Sequence, residues 1–243
     1  MIRLVALLAL LLPVQAAASC RQVTFEATPF TLCEARAGDD LRLFLRDGSG
    51  AILGDFTAVE ASLPPGTRLS FAMNAGMYHD DRRPVGLYIE GDRHEGVLSD
   101  GGGYGNFGLL PNGVFCISDR LRVWEREAFI AAAPDCRYAT QSGPMLVIGG
   151  ALHPAFHANS TSRAFRNGVG TSADGSRAVF AISDRPVNFH LFARFFRDYL
   201  GLADALYFDG NVSRLYAPDL GRADGGAPMG PIVGLVERSD PVD

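Results

Sequence analysis

Residues 205–214, ALYFDGNVSR, restrict how this chain can fold and where its chemistry can lie. Four apolar residues run directly into Asp209, Gly210 and Asn211. Such a run is typical of a buried strand that delivers an acidic side chain to a sheet edge, and equally of a strand that ends in a turn. Taken alone, Asp209 is most often a turn former, with Gly210 supplying a positive φ.

The segments around this stretch predict many short strands separated by polar and glycine-rich connections. The Asn112-Gly113 pair, between two apolar runs, predicts a hairpin turn. A second tight turn is expected at Gly91-Asp92. The predicted strands cover residues 41–46, 69–73, 85–90, 145–148, 178–182 and 231–236.

One helix is clear and a second, shorter one is expected around residues 126–133. Apolar side chains at 192, 195, 196 and 199 have helical spacing and stop before Gly201. Ser183 or Asp184 is the expected cap, with Pro186 in the first turn. Regular βαβ alternation is missing, so the pattern predicts an α+β domain. Its sheet would be mixed and largely antiparallel, with one long and one or two short helices packed on it.

The first 18 residues have the layout of a secretory signal peptide: a basic Arg3, a short apolar run and then small residues. The apolar run is too short to span a bilayer. We therefore expect residues 19–243 to be a single exported domain, periplasmic or secreted, with no integral membrane segment after removal of the signal. A lipid anchor on Cys20 is the competing, less favoured interpretation.

The four cysteines, Cys20, Cys33, Cys116 and Cys136, lack CxxC spacing. A zinc site is therefore poorly supported. An even number in an exported chain indicates two disulfides. Three pairings are possible, and Cys20 with Cys33 and Cys116 with Cys136 are favoured because both close short loops.

Charge and motif context argue against nucleic-acid and nucleotide partners. The formal net charge is −5, so no basic stripe is available to neutralise a phosphate backbone. Residues 103–108 match GxGxxG, but Pro111 and Asn112-Gly113 follow instead of a helix. A dinucleotide fingerprint requires that helix, because the pyrophosphate lies at its N-terminus.

Three polar groups are weak candidates for catalysis or metal binding. Ser142 lacks the GxSxG elbow of serine hydrolases. His79-Asp80-Asp81 is more typical of a solvated hairpin tip than of a ligand cluster. Pro154 separates His153 from His157 and interrupts a helical pair. We expect no bound cofactor, while a divalent metal requirement stays open.

Three strand-to-loop corners share a polar residue followed closely by glycine: Asn74-Ala75-Gly76, residues 141–143 and Asp209-Gly210. Three such corners in one domain could converge on one pocket. Arg166 and Asn167 lie beside further glycines. An arginine in that setting can present a bidentate fork to a phosphate, or form a surface ion pair.

Together, several motifs in a fixed order resemble the phosphodiester glycosidase family. The resemblance covers about residues 69–236, and it is closest to compact, exported bacterial members. The motifs are NAGMY at 74–78, PVGLY at 84–88, GNFGLLPNGVF at 105–115, ATQSGPML at 139–146, RNGVG at 166–170 and LYFDGNVSRLY at 206–216.

The resemblance implies a hydrolase that cleaves the anomeric bond of a sugar-1-phosphodiester and releases free sugar and a phosphomonoester. Asp209 would be nucleophile or base, and Arg166 would hold the phosphate. The second carboxylate is open, with Asp174 and Asp80 as candidates. The implied substrate-binding residues are Asn74, Gly76, Gln141, Ser142, Gly143, Asn167, Gly210, Asn211 and Ser213.

Two other functions remain open from the sequence. One is a catalytically idle binding protein of the same fold for exopolysaccharide or cell-wall glycan, because fold similarity does not guarantee function. The other is a metal-assisted hydrolase that uses Asp209 and Asp174. The expected partner in all cases is a sugar phosphodiester or a phosphorylated glycan.

Overall fold

The structure is a computed structural model that describes residues 20–102 and 105–239. The expected signal peptide and the Gly103-Tyr104 part of the glycine motif lie outside these residues. No helix in the described ranges has the length and apolarity needed to cross a membrane.

Within residues 20–102 and 105–239, seventeen strands form three sheets, and every pairing between them is antiparallel. In chain order the strands are β1 Cys20–Phe25, β2 Thr28–Arg36, β3 Leu41–Phe44, β4 Thr67–Asn74, β5 Tyr88–Glu90, β6 Arg93–Glu95, β7 Gly113–Ile117, β8 Leu121–Glu125, β9 Tyr138–Ser142, β10 Met145–Ile148, β11 Ala151–Leu152, β12 Asn167–Thr171, β13 Arg177–Ser183, β14 Asp204–Asp209, β15 Leu215–Ala217, β16 Arg222–Ala223 and β17 Ile232–Arg238.

A seven-stranded sheet has the order β1-β2-β13-β12-β14-β10-β11. The two others have five strands each, in the orders β16-β15-β4-β17-β3 and β6-β5-β9-β7-β8. The α+β prediction is confirmed, but the single mixed sheet is replaced by three antiparallel ones. Strands that are distant in sequence therefore pair within one sheet, as β2 does with β13, and the three sheets meet through the core between them.

Phe180 lies where the three sheets meet. Its ring centroid is 5.3 Å from that of Phe71 and 5.6 Å from that of Phe115, and each of the three rings comes from a different sheet. All three are fully buried, so this aromatic contact joins the sheets into one core.

The described part of the chain has three α-helices: α1 Phe56–Ser62, α2 Arg126–Ala132 and α3 Phe189–Arg194. A π-helical turn at Phe195–Tyr199 continues α3. Phe192, Phe195 and Phe196 of the predicted stripe are buried on the seven-stranded sheet, whereas Tyr199 is 46% exposed. The sequence did not predict α1, which buries only two apolar side chains.

The predicted start of α3 is wrong. Ser183 ends β13, and the Asp184 carboxylate instead accepts hydrogen bonds from Thr31 and Arg222. Asn188 is the cap, because its side-chain oxygen accepts from the backbone N–H of Leu191 at 2.9 Å.

The predicted hairpin turn at Asn112-Gly113 is also wrong. Gly113 begins β7 and pairs with both Glu125 and Ser142. A Cβ on Gly113 would lie 2.4 Å from the Met145 sulfur, so glycine is needed there for close packing. The expected turn at Gly91-Asp92 is confirmed, since it joins β5 to β6.

Both favoured disulfide pairings are confirmed. Cys20 and Cys33 face each other across β1 and β2, and Cys116 is bonded to Cys136 beside α2. A sulfur in a disulfide has no valence left for a thioether to lipid, so the Cys20–Cys33 bond is incompatible with a lipid anchor on Cys20.

A β-bulge between Asn167 and Gly168 breaks the register of β12 against β14. A Cβ on Gly168 would lie 2.4 Å from the backbone oxygen of Leu206, which leaves no room for any larger residue. Bulges of this kind re-aim the neighbouring side chain. Here the extra residue lies on β14: Asn167 pairs with Asp209 and Gly168 with Tyr207, so Phe208, next to Asp209, has no partner on β12.

We expect Gly168→Ala to lower the free energy of unfolding by about 2 kcal/mol, because the backbone of β14 must move to accept the methyl group. The measurement is urea unfolding followed by circular dichroism. Gly48→Ala is the matched control, since a Cβ on Gly48 meets nothing within 4 Å. Equal stability of the two variants would contradict this account of the bulge.

Candidate functional site

A pair of buried asparagines joins two sheets at one corner of the core. Asn74, the last residue of β4, donates to the side-chain oxygen of Asn167 at 3.2 Å. Asn167, the first residue of β12, returns hydrogen bonds to Asn74 Oδ1 at 3.1 Å and to its backbone oxygen at 2.8 Å. Both residues are fully buried. The amide pair therefore aligns two strand ends that are far apart in sequence.

The third sheet is attached to the same corner through β9. Thr140 Oγ1 donates to the backbone oxygen of Ala75 at 2.7 Å, and Ser142 Oγ donates to that of Phe208 at 3.0 Å. Gly76 makes this approach possible, because a Cβ there would lie 2.9 Å from Thr140 Oγ1. The three predicted corners do converge, one from each sheet.

Asp209 ends β14 at this corner and is 9% exposed. Its Oδ1 accepts hydrogen bonds from the backbone N–H groups of Gly210 at 2.6 Å and Asn211 at 2.9 Å. Burial raises the pKa of Asp209, and these backbone hydrogen bonds lower it to a smaller extent. The carboxylate is thus held in one orientation in a poorly solvated place.

Asp209 lines a cavity of about 390 Å³. Of the residues predicted for the site, Asp209 and Asn211 reach it. The sequence interpretation missed the other wall residues, although several lie in the family-like motifs at 74–78 and 105–115. The lining residues are Met77, Tyr78, Val85, Gly105, Asn106, Phe107, Asp209, Asn211 and Val212.

Arg166 lies behind the cavity floor with 2% of its surface exposed. Its guanidinium carbon is 3.6 Å from the ring centroid of Phe189, and Nε donates to the backbone oxygen of Val187 at 2.9 Å. Nη1 donates to the hydroxyl of Tyr207 at 3.2 Å. Burial lowers the pKa of the Arg166 guanidinium and raises the pKa of the Tyr207 hydroxyl well above its ordinary value.

Tyr207 connects Arg166 to the Asp209 corner. A Cβ on Gly210 would lie 2.0 Å from the Tyr207 hydroxyl, so the phenol rests directly against the peptide that follows Asp209. Asn106, in the cavity wall, is close enough to this hydroxyl to lower its pKa slightly against the effect of burial. Glycine is needed at 210 because of this contact, and not because of the positive φ expected from the sequence, which Gly210 does not have.

The Gln141 side chain hydrogen-bonds residues on both sides of the loop that carries Asn106. Its Oε1 accepts from the backbone N–H groups of Leu87 and Ser99, and its Nε2 donates to the Ser99 oxygen and to Asn112 Oδ1. All of its hydrogen-bonding capacity is used inside the protein. Gln141 therefore positions the loop and has no free group for a ligand.

The other predicted site residues hold the corner together. Gly143 packs against Asn112, with 2.7 Å between its notional Cβ and the Asn112 Cβ. Ser213 Oγ lies 2.9 Å from the backbone oxygens of both Phe165 and Asp209. These residues surround Asp209 without lining its cavity.

Asp174 does not reach the site, so neither the second-carboxylate role nor the metal pairing with Asp209 fits the structure. Thr171 pairs with Asp204 while Asn167 pairs with Asp209, which puts the turn containing Asp174 at the opposite end of β12. That strand length separates the two by roughly 16 Å. Hydrogen bonds from serines in its own turn lower the pKa of Asp174 to about 2.

Asp80 lies at an exposed hairpin tip, as the solvated-tip interpretation of residues 79–81 predicts. His153 is 2% exposed and hydrogen-bonds the Leu110 oxygen. In the described ranges, no three His, Cys, Asp or Glu side chains are grouped to hold a metal ion. A larger hollow of about 930 Å³, beside Cys136, contains none of the predicted site residues.

The fold and site define an antiparallel α+β domain with a buried aspartate in the wall of a small cavity, close to the junction of three sheets. The sequence profile of the phosphodiester glycosidase family matches residues 67–229, and the chain belongs to that family.

One curated relative and two solved structures illustrate the relationship. The chain is 34% identical over 177 residues to the uncharacterized protein YigE of Escherichia coli (strain K12), covering 72% of this chain and 69% of that protein. The fold is similar to the catalytic domain of zebrafish N-acetylglucosamine-1-phosphodiester alpha-N-acetylglucosaminidase, auto-inhibited by its pro-peptide. There the TM-score is 0.61 at 12% identity, covering 91% of this chain and 82% of that one.

A putative exported protein of Burkholderia pseudomallei K96243 is also similar in fold, with a TM-score of 0.50 at 12% identity and coverage of 86% of this chain and 74% of that one. At such identities both structural matches concern the fold alone. The family is thus established by sequence, and the architecture agrees with it.

The raised pKa of Asp209 predicts that Asp209→Asn is at least as stable as the wild type at neutral pH. Folding disfavours the charged form, so the stabilising contribution of this group is present below about pH 4 and is lost as pH rises through its raised pKa. The stability gain should therefore be larger at pH 7 than at pH 4, as measured by urea unfolding.

Asp174→Asn is the control with the opposite sign. Because hydrogen bonds lower the pKa of Asp174, its contribution is present at neutral pH and is lost as pH falls toward about 2. This variant should lose stability at pH 7. An Asp209→Asn protein that is less stable than wild type at pH 7 and equal to it at pH 4 would refute the burial argument.

Proposed function

We propose that this protein hydrolyses sugar-1-phosphodiesters at the anomeric carbon, releasing free sugar and a phosphomonoester. The observation that carries the proposal is the buried, backbone-anchored carboxylate of Asp209 in the wall of a cavity large enough for one sugar ring. Membership of the phosphodiester glycosidase family supports the reaction class.

A phosphodiester leaving group reduces what the protein must supply. Phosphate leaves with its negative charge already stabilised, so a strong general acid is less necessary than for an alcohol. The remaining task is to stabilise an oxocarbenium-like transition state and to deliver water. The Asp209 carboxylate would act either as nucleophile at the anomeric carbon or as base toward the attacking water.

Asp209 is suited to this task by its surroundings. Its carboxylate has little contact with water, which strengthens its attraction for positive charge developing on the sugar. The hydrogen bonds at Oδ1 fix its direction before substrate arrives. Asn106 and Asn211, in the same cavity wall, are positioned to bind sugar hydroxyls.

Arg166 takes a different role from the direct phosphate contact that the sequence implies. Its guanidinium would have to leave the Val187 oxygen and the Tyr207 hydroxyl to enter the cavity. We propose that Arg166 positions Tyr207, which supports the Asp209-Gly210 peptide from behind. The positive charge of Arg166 would then act on the site through Tyr207, without direct contact with the substrate.

The catalytic prediction compares wild type with Asp209→Asn on a panel of sugar-1-phosphodiesters, with released sugar as the readout. Wild type should release sugar, and Asp209→Asn should lose at least about 1,000-fold in kcat/KM, because the essential charge is gone while the shape is kept. Asp174→Asn should keep wild-type turnover, since Asp174 lies at the far end of β12.

The pH profile gives a second readout of the same experiment. The acid limb of kcat/KM should lie above the usual range for aspartate, because burial raises the pKa of Asp209 and the carboxylate is the active form. Full turnover by a folded Asp209→Asn protein would remove this residue from the mechanism. Glycan binding without release by wild type would favour the non-catalytic binding protein.

We also propose that the protein works outside the cytoplasm. Two disulfides persist best in an oxidising compartment. Mass spectrometry of the mature protein should find an N-terminus near residue 19, no lipid adduct on Cys20 and four disulfide-bonded cysteines. A diacylglycerol mass on Cys20 would overturn the proposed soluble, exported form.

A further inference from the structure

Two arginines that the proposed mechanism does not use flank Tyr78 at the cavity. The guanidinium carbon of Arg82 is 5.3 Å from the centroid of the Tyr78 ring. The Arg214 charge is close enough to influence the same phenol. Tyr78 lies in the cavity wall together with Asp209. Two positive charges therefore lie near Tyr78, a residue of the same wall that contains the Asp209 carboxylate.

The backbone of Arg82 is in an unusual conformation. Its φ is +71°, in the left-handed region that favours glycine, at the end of the turn formed when the Arg82 N–H bonds the His79 oxygen. A non-glycine residue there costs about 1 kcal/mol relative to glycine. The Arg82 side chain is fixed against this turn, since its Nη1 donates to the backbone oxygen of Asp80 at 2.8 Å.

Arg214 is held by the corner that aligns the sheets. Its backbone N–H donates to Asn74 Oδ1 at 2.9 Å, next to the amide pair. Its Nη1 donates to the backbone oxygen of Ala227, and the guanidinium lies on Gly226, where a Cβ would be 2.3 Å from Nη2. The head group is thus fixed in place by main-chain contacts.

Neither cation is neutralised by the protein. Within residues 20–102 and 105–239, no carboxylate lies within 4.0 Å of Arg82 or Arg214. The neighbouring Arg83, in contrast, is paired with Asp81 at 2.6 Å. In a chain with a net charge of −5, two such cations beside one cavity form a local attraction for an anion.

The pKa of Tyr78 is affected by the charges of Asp209, Arg82 and Arg214. Burial raises the pKa of the phenol, the Asp209 charge raises it further, and the Arg82 and Arg214 charges lower it. The phenol therefore stays protonated at neutral pH and can donate a hydrogen bond. Tyr78 shares the cavity wall with the Asp209 carboxylate, and the Arg82 guanidinium lies over its ring.

We propose that Arg82 and Arg214, together with the Tyr78 hydroxyl, bind the anionic phosphodiester oxygens of the substrate while its sugar lies over Asp209. This assignment rests on the proposed function and deepens it. A sugar phosphodiester at its transition state is positive at the anomeric carbon and negative at the phosphate. The charges of the cavity are complementary to that pattern.

The test compares two substrates of the same released sugar: a 1-phosphodiester and the neutral p-nitrophenyl glycoside. Arg82→Gly removes one cation and relieves the left-handed backbone, so it should fold at least as well as wild type. Arg214→Gln removes the other. Each should lower kcat/KM on the phosphodiester at least about tenfold, because a charged hydrogen bond is lost, and leave the neutral glycoside within about twofold.

Arg83→Gln is the matched control, since it removes one positive charge from the same hairpin and should change neither rate. Raising the salt concentration should weaken binding of the phosphodiester to wild type more than to either variant, because screening acts on the removed charges. Equal losses on both substrates, or no loss on the phosphodiester, would overturn the assignment.

A binding arm separates this inference from the proposed function. If wild type releases no sugar from any phosphodiester, the proposed function fails, and broadening of the 31P signal of inorganic phosphate is measured instead. Broadening by wild type and Arg83→Gln that both variants abolish would support the anion site without the reaction. Absence of broadening with wild type in that case would overturn the site as well.

Discussion

Asn74 and Asn167 exchange hydrogen bonds across the gap between two sheets, and the functional corner depends on that exchange. Removing one of the two amides would lower the free energy of unfolding by about 1–3 kcal/mol, because the polar atoms of the other would be buried without a hydrogen-bond partner. The same Asn167 oxygen also accepts from the backbone N–H of Asp209 at 3.2 Å. Alignment of the sheets and placement of the carboxylate are therefore one constraint.

The corner places polar groups where the core would otherwise be apolar. Asp209 loses solvation without gaining a salt bridge in the described part of the chain, and Arg166 is buried with neutral partners. Both conditions oppose folding. The aromatic contacts around Phe180 and the helix packed on the opposite face offset them. A rigid apolar core thus supports a site that is poorly stable by itself.

Local patterns were sufficient for several elements and insufficient for others. The apolar stripe at 192, 195, 196 and 199 predicted a buried helix face, because helical spacing determines which side chains share a face. Three of its members are buried, and Tyr199 is exposed. The sequence pattern did not predict α1, because that helix is seven residues long and buries only Phe56 and Val59. The turn predicted at Asn112-Gly113 was wrong, because that glycine is required by close packing against Met145 and not by a turn. Sequence alone does not distinguish these two uses of glycine.

The sequence by itself determined the α+β class, the disulfide candidates, the family and the polar corner at Asp209, because these depend on residue type and short spacing. Tertiary structure decided which polar residues face the cavity. Arg166 and Gln141 are consumed by internal contacts, whereas Tyr78 lies in the wall. The physical reason is that the ends of β4, β9 and β14, which belong to three different sheets, meet only when those sheets pack on one core. That packing determines which hydrogen-bonding groups remain free.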